Sequence, residues 1–296
     1  MMMDIKVNIR NQDNILECLS SVFDVVQGVK RAEGGSVVLD FSDIHVSSPV
    51  LTLPLSILLS NNSAEVTYVL SDALKNAHLG NEIIAGEMRL SAFKAQMQAY
   101  SGASYLPIVA FPATKAKEDE KDSIQSVVES ILIQQIGNIG NVSLGLRYII
   151  GECIDNITQH ARSQYGYIAA QTNKEKQYLD ICIADKGITL LGSYKENKDT
   201  DIESDMEALK AANRGISTKN LPNAENRGYG LITSKKMLTT GLGGLFIMIS
   251  GSAILIKSET FNEYAELPEG LSCRGTIVVC RMPFDNKDFN YINYVE

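Results

Sequence analysis

The sequence has no excess of positive charge: 27 lysines and arginines stand against 35 aspartates and glutamates, a formal net charge of −8. This argues against a domain that grips nucleic acid through a broad basic face and leaves room only for a local basic patch. There is no CxxC pair either. The five cysteines, Cys18, Cys153, Cys182, Cys273 and Cys280, suggest neither a zinc site nor a disulfide framework; they read as core fillers in a reducing cytosol. Long hydrophobic runs are also missing. The longest, Val50 to Leu59, contains Pro54 and is too short to cross a bilayer, and the opening MMMDIKVNIR has no apolar signal-peptide core. No membrane insertion is expected, and no internal repeat is found.

What is present is the composition of a globular protein, with 45% hydrophobic and 21% charged residues over 296 positions. At roughly 150 residues per domain this allows two domains. Asp13 to Lys30 places apolar residues at helical spacing behind Asp13 or Asn14 as N-cap. Ser36 to Phe41 and Val66 to Leu70 read as strands, Val50 to Leu59 as a helix beginning near its prolines, and Asp72 to His78 as a short helix. The text from Ser101 to Asp122, with two prolines and then dense charge, suggests a break, with residues 106–122 as linker between a domain over 1–105 and another over 123–296. Beyond it, helices are expected over Ser123 to Ile136 and Val142 to Arg162. Strands are expected over Tyr165 to Thr172, Gln177 to Ala184, Leu245 to Ser250, Ala253 to Lys257 and Thr276 to Met282. The overall class is α/β.

The helix GECIDNITQHA carries Glu152, Asn156 and His160 at successive i, i+4 steps, so that a carboxylate, an amide and an imidazole form one polar stripe. An exposed helix face presents the same pattern. Chemically, Glu152 can act as base toward a water, the amide oxygen of Asn156 can ligate a hard cation such as Mg²⁺, and His160 can either donate to a phosphate or favour the helix C-terminal dipole. Asp155 is read as a group supporting this face. Asp185-Lys-Gly187 leaves the end of a buried strand, where a carboxylate can accept from an exocyclic amine and a glycine lets a planar ring approach. Arg227-Gly228-Tyr-Gly230-Leu231 opens a further helix whose free amides suit phosphate oxygens, with Arg227 adding charge. Lys235 and Lys236 in that helix read as a solvated face.

In this order the pieces resemble the GHKL superfamily of ATPases. Glu152-Cys-Ile-Asp155-Asn156 looks like its N box, Asp185-Lys-Gly187 like its first glycine box, and Arg227-Gly-Tyr-Gly-Leu231 like its second. Gly275-Thr276-Ile-Val-Val, closing with Met282-Pro283, is similar to its last strand. The resemblance covers about Ser123 to Phe284 and implies a Bergerat-type α/β sandwich, a mixed sheet with helices on one face. It also implies ATP and Mg²⁺ as cofactors. Glu152 would be the general base, Asn156 the Mg²⁺ ligand, Asp185 the adenine reader with Thr276 beside it, and Gly187 would pack near adenine. Gly228 and Gly230 would cradle phosphates, and Ile188 to Asn226 would form a lid. Thr189 stands where a second glycine is common, which bears on the lid.

The N-terminal half loosely resembles a STAS-type α/β domain, with Ser47 or Ser48 near the place where that family carries a phosphorylated serine and Pro49 in place of the usual glycine. Two serines in a turn before a proline read more readily as local structure. Two functions follow: a cytoplasmic ATPase or serine/threonine kinase acting in a regulatory switch, or a nucleotide-gated interaction module without turnover. A regulatory protein partner is implied, and relatives often pair as homodimers. A histidine autokinase is disfavoured, because outside the stripe only His45 and His78 exist and the helix from Ser123 has no histidine.

Overall fold

The computed structural model describes residues 2–32, 34–60, 62–196, 201–216, 229–286 and 288–295. Its first part alternates β1 (Met2–Lys6), α1 (Ile15–Arg31), β2 (Ser36–Phe41), α2 (Pro49–Leu59) and β3 (Glu65–Leu70), and ends in the short α3 (Asp72–Asn76). The three strands form a wholly parallel sheet in the order β1-β2-β3, with Asp4 opposite Val38 and Val38 opposite Thr67. The Asn14 side chain caps α1 by accepting from the amides of Leu16 and Glu17. In α2, Pro49 occupies the first turn, where a missing N–H costs nothing, and ten of eleven residues are buried. A helix apolar on all sides must be covered on all sides.

The cover is the second part. It runs through β4 (Ile83–Ile84), α4 (Leu90–Gln98), β5 (Tyr105–Pro112), α5 (Glu118–Ile136), α6 (Gly140–His160), β6 (Tyr165–Asn173) and β7 (Tyr178–Asp185). After these come α7 (Leu190–Glu196), α8 (Asp205–Asn213), α9 (Tyr229–Lys236), β8 (Leu245–Gly251), β9 (Ala253–Lys257), β10 (Asn262–Glu266) and β11 (Cys273–Pro283). Its eight strands make a mixed sheet, ordered β10-β9-β8-β11-β7-β6-β5-β4, antiparallel except for β4 with β5.

Both faces of this sheet are buried. On β7, Leu179, Ile181 and Ile183 join Leu132, Leu146 and Ile150 of α5 and α6, while Cys182 and Ala184 point the other way and join Leu51, Leu53 and Leu55 of α2. Helices α5 and α6 of the larger unit therefore cover one face of its sheet, and α2 of the N-terminal part covers the other. Arg281 fastens the two parts together. Its guanidinium donates to both oxygens of buried Asp180, at 2.8 and 2.7 Å, and to the carbonyl of Asp13 at 2.8 Å, while lying 3.9 Å from the centre of the Tyr178 ring. Tyr178 O–H donates to Asp13 Oδ1 at 2.9 Å.

The stretch 106–122 is likewise no linker. Its first half is β5, buried between β4 and β6, with Pro107 tolerated where the register slips between Leu106 and Val109. Its charged half starts α5, where Glu118, Asp119 and Glu120 suit the positive end of the helix dipole. Ser48 is 4% exposed, beneath the start of α2 on the sheet's rear side, whereas Ser47 is half-buried. Among the described residues no helix is long and apolar enough to cross a membrane.

Candidate functional site

On the α6 face of the large sheet lies a cleft, partly open to solvent. The inner side of α6 supplies Glu152, Asn156 and His160, the end of β7 supplies Asp185, the start of α9 supplies Gly230, and β11 supplies Thr276. Six of the nine expected site residues thus share one cleft. Gly187 is not among the lining residues but donates its amide to Asp185, and Arg227 and Gly228 lie outside the described residues.

Asp185 is the best-defined group. It is 2% exposed; Oδ1 accepts from the amide of Gly187 at 2.8 Å and Oδ2 from the amide of Thr276 at 3.0 Å. Burial pushes its carboxyl up to about 7, against the pull of these two bonds, which favour the charge. Two glycines make the arrangement feasible. Gly275 has φ +80°, and a Cβ there would fall 2.2 Å from Asp185 Oδ1. At Gly187 a Cβ would fall 1.8 Å from the carbonyl oxygen of Ala161, which closes the end of α6 by accepting from Ile188 N at 2.7 Å.

Sequence reasoning missed Ser250. Its hydroxyl donates to the Gly275 carbonyl at 3.0 Å, accepts from Leu190 N at 2.9 Å and lies 3.3 Å from Thr276 Oγ1. One buried serine in the apolar strand LFIMISG thereby joins β8, β11 and the first turn of α7. Nothing in the local pattern marks it.

Glu152 sits against the first turn of α9, where a Cβ at Gly230 would fall 1.7 Å from Glu152 Oε2. Tyr148 was also missed, although it extends the stripe by one i−4 step. Its hydroxyl bonds to the Glu152 carboxylate and to Thr233, and burial together with that carboxylate pushes the phenol up to about 12. The ring of Tyr291, from the C-terminal segment, meets Tyr148 edge-on at 6.1 Å between centroids.

α7 and α8 cover the cleft with a small core of their own, Tyr194, Ala208 and Ala211. They fall within the segment expected as a lid, of which 197–200 and 217–226 lie outside the described residues. Tyr194 O–H donates to the Ile216 carbonyl at 2.5 Å. A capping box, Ser204 with Glu207, starts α8, and Asp205 accepts from the amide and hydroxyl of Ser252.

One expectation near the site needs correction. Lys235 is not solvated but 2% exposed, because α8 and the sheet enclose that side of α9; Lys236 is exposed as expected. Asp155 does not line the cleft. It pairs at 2.7 Å with Lys121 of α5, a buried lysine also 3.0 Å from Asp122. All five cysteines are buried and free.

The cleft thus combines a buried carboxylate and a half-buried polar stripe with an apolar floor that includes Ile183, Met248 and Val278. Such a floor accommodates a flat ring, and the stripe a charged tail. No protein-family model matches the chain, and comparison with curated proteins returns no relative.

Proposed function

We propose that the cleft binds ATP with Mg²⁺ in the GHKL manner, the larger unit being of Bergerat type and the N-terminal unit STAS-like, and that the chain is an ATP hydrolase or serine/threonine kinase in a regulatory switch. The observation that carries the reading is Asp185. It is a carboxylate at a strand end, held by two backbone amides above an apolar floor, with acceptor capacity left for an exocyclic amine.

The residues present fit the cofactors. Asn156 offers a neutral oxygen to a hard cation. An ion of this kind is commonly bound through one or two side chains and the phosphates of its nucleotide. Gly230 at the start of α9 lines the cleft and would face phosphate oxygens there, and His160 can donate to them. Bound Mg²⁺ supplies charge neutralisation to the phosphates. Glu152, oriented by Tyr148, takes the proton of an attacking water or hydroxyl.

The burial of Ser48 on the rear side favours a hydroxyl acceptor on a partner protein over that serine of the same chain. Isothermal titration with ATP and Mg²⁺ tests the reading, and failure of the folded protein to bind sinks it. Labelled γ-phosphate followed in wild type and Glu152→Ala separates the classes. Free phosphate or labelled protein that disappears in the variant supports the enzyme, whereas tight binding with neither product in either protein supports the gated module.

A further inference from the structure

Lys235 is buried with no anion beside it among the described residues. Its Nζ donates to the carbonyl of Asn213 at 3.0 Å and to Asn213 Oδ1, and it lies 6.0 Å from the centre of the Phe246 ring. Those are two acceptors, which satisfy a neutral amine; an ammonium brings three N–H groups. Asn213 is the last residue of α8 and is itself held by Asn262 and Tyr264 of β10. Just beyond it, Gly215 and Ile216 line the cleft.

The surrounding groups do not supply the missing charge. α8 brings Lys210, whose Nζ lies over the Tyr264 ring of β10, and is followed by the exposed Arg214; β9 brings Lys257. The strand LFIMISG of β8 has no titratable side chain, and Lys236 on α9 is exposed. α6 packs on another side of α9, with Glu152 at Gly230 and Tyr148 at Thr233. Among the described residues no carboxylate pairs with Lys235.

We propose that docking of α8 on α9 expels the Lys235 proton, so that this wall of the cleft firms as solution turns alkaline and loosens on acidification. Burial, with repulsion from Lys257, pushes the docked lysine down to about 7, whereas a solvated lysine titrates near 10. Between those values the undocked form holds one more proton. The docking equilibrium therefore rises about tenfold per pH unit above neutrality and is flat below it. The two hydrogen bonds to Asn213 survive deprotonation, because a neutral amine still donates twice.

The test is amide hydrogen exchange of the full chain without nucleotide, corrected for intrinsic exchange, between about pH 6 and about pH 9. Expected is a tenfold fall in opening of α8 peptides per unit above about pH 7, with peptides of β7 and β11 not following. Lys235→Met should abolish the slope, and Lys235→Arg, which keeps its charge, should raise α8 opening at every pH. A flat wild-type profile overturns the proposal without any variant, and so does an equal slope in Lys235→Met. Because no nucleotide is present, this result stands apart from whether the cleft binds ATP.

Discussion

Replacing Asp185 by asparagine separates what this residue costs the fold from what it does for a ligand. Burial lifts its carboxyl from the usual 3.8 to about 7. Between those values the folded chain holds a proton that the unfolded chain has lost, so stability falls as pH rises through the window, by roughly 1.4 kcal/mol per unit and about 4 kcal/mol in all. Asp185→Asn removes that slope. It also turns an amide NH₂ toward one of the two backbone donors, Gly187 N or Thr276 N, costing about 1–3 kcal/mol at every pH. The variant should therefore be the less stable protein near pH ~4 and the more stable one, by about 1–3 kcal/mol, near pH ~8. Urea melts at the two values check this, the swing amounting to roughly 1 M in relative midpoint for a slope near 3 kcal/mol/M. ATP binding should be lost in the same variant. A stability difference that does not change with pH would refute the burial account, and unchanged ATP affinity would refute the role.

Gly230→Ala places a methyl 1.7 Å from Glu152 Oε2 and should cost about 1–3 kcal/mol. Glu152→Ala should recover more than ~1 kcal/mol of it in a double-mutant cycle, and simple additivity would count against the contact. Arg281→Met leaves Asp180 buried without its partner and should lower stability by about 3–5 kcal/mol, with Asp180→Leu in the same chain restoring most of it on thermal melts. Removing residues 1–82 bares the rear of the large sheet, where Cys182, Ala184, Ile247 and Ile277 share one core with α1 and α2. The remainder should aggregate in gel filtration, and a folded monomer would show that the two parts are separable.

Much of the chain was legible because its signals are local. The apolar period of α1, the alternation in β7 and the prolines opening α2 each report a preference of a few consecutive residues. In sequence β5 reads as linker because its prolines and the charges after it are usual in loops; only pairing with β6 and the dipole of α5 give them another meaning. β1, β10 and the short α4 were not anticipated, since an edge strand or a nine-residue helix owes its form to neighbours rather than to propensity. In the site, the stripe Glu152, Asn156 and His160 followed from helix geometry. Ser250 and Lys235 could not be found that way, because each is defined by partners dozens of residues distant: Ser250 by Leu190 and Gly275, Lys235 by Asn213.

By itself, then, the sequence determined an acidic α/β chain without a long apolar span and with one polar stripe, because charge, hydrophobic period and glycine spacing act over a turn of helix or a few strand positions. Tertiary structure decided which of those groups meet and which are dry. It put Asp185 between two amides, turned a helix read as solvated so that Lys235 is buried, and laid α2 across the rear of the sheet. Burial and long-range hydrogen bonding depend on the whole chain's closure, and they set how costly each charge is and therefore what it can do.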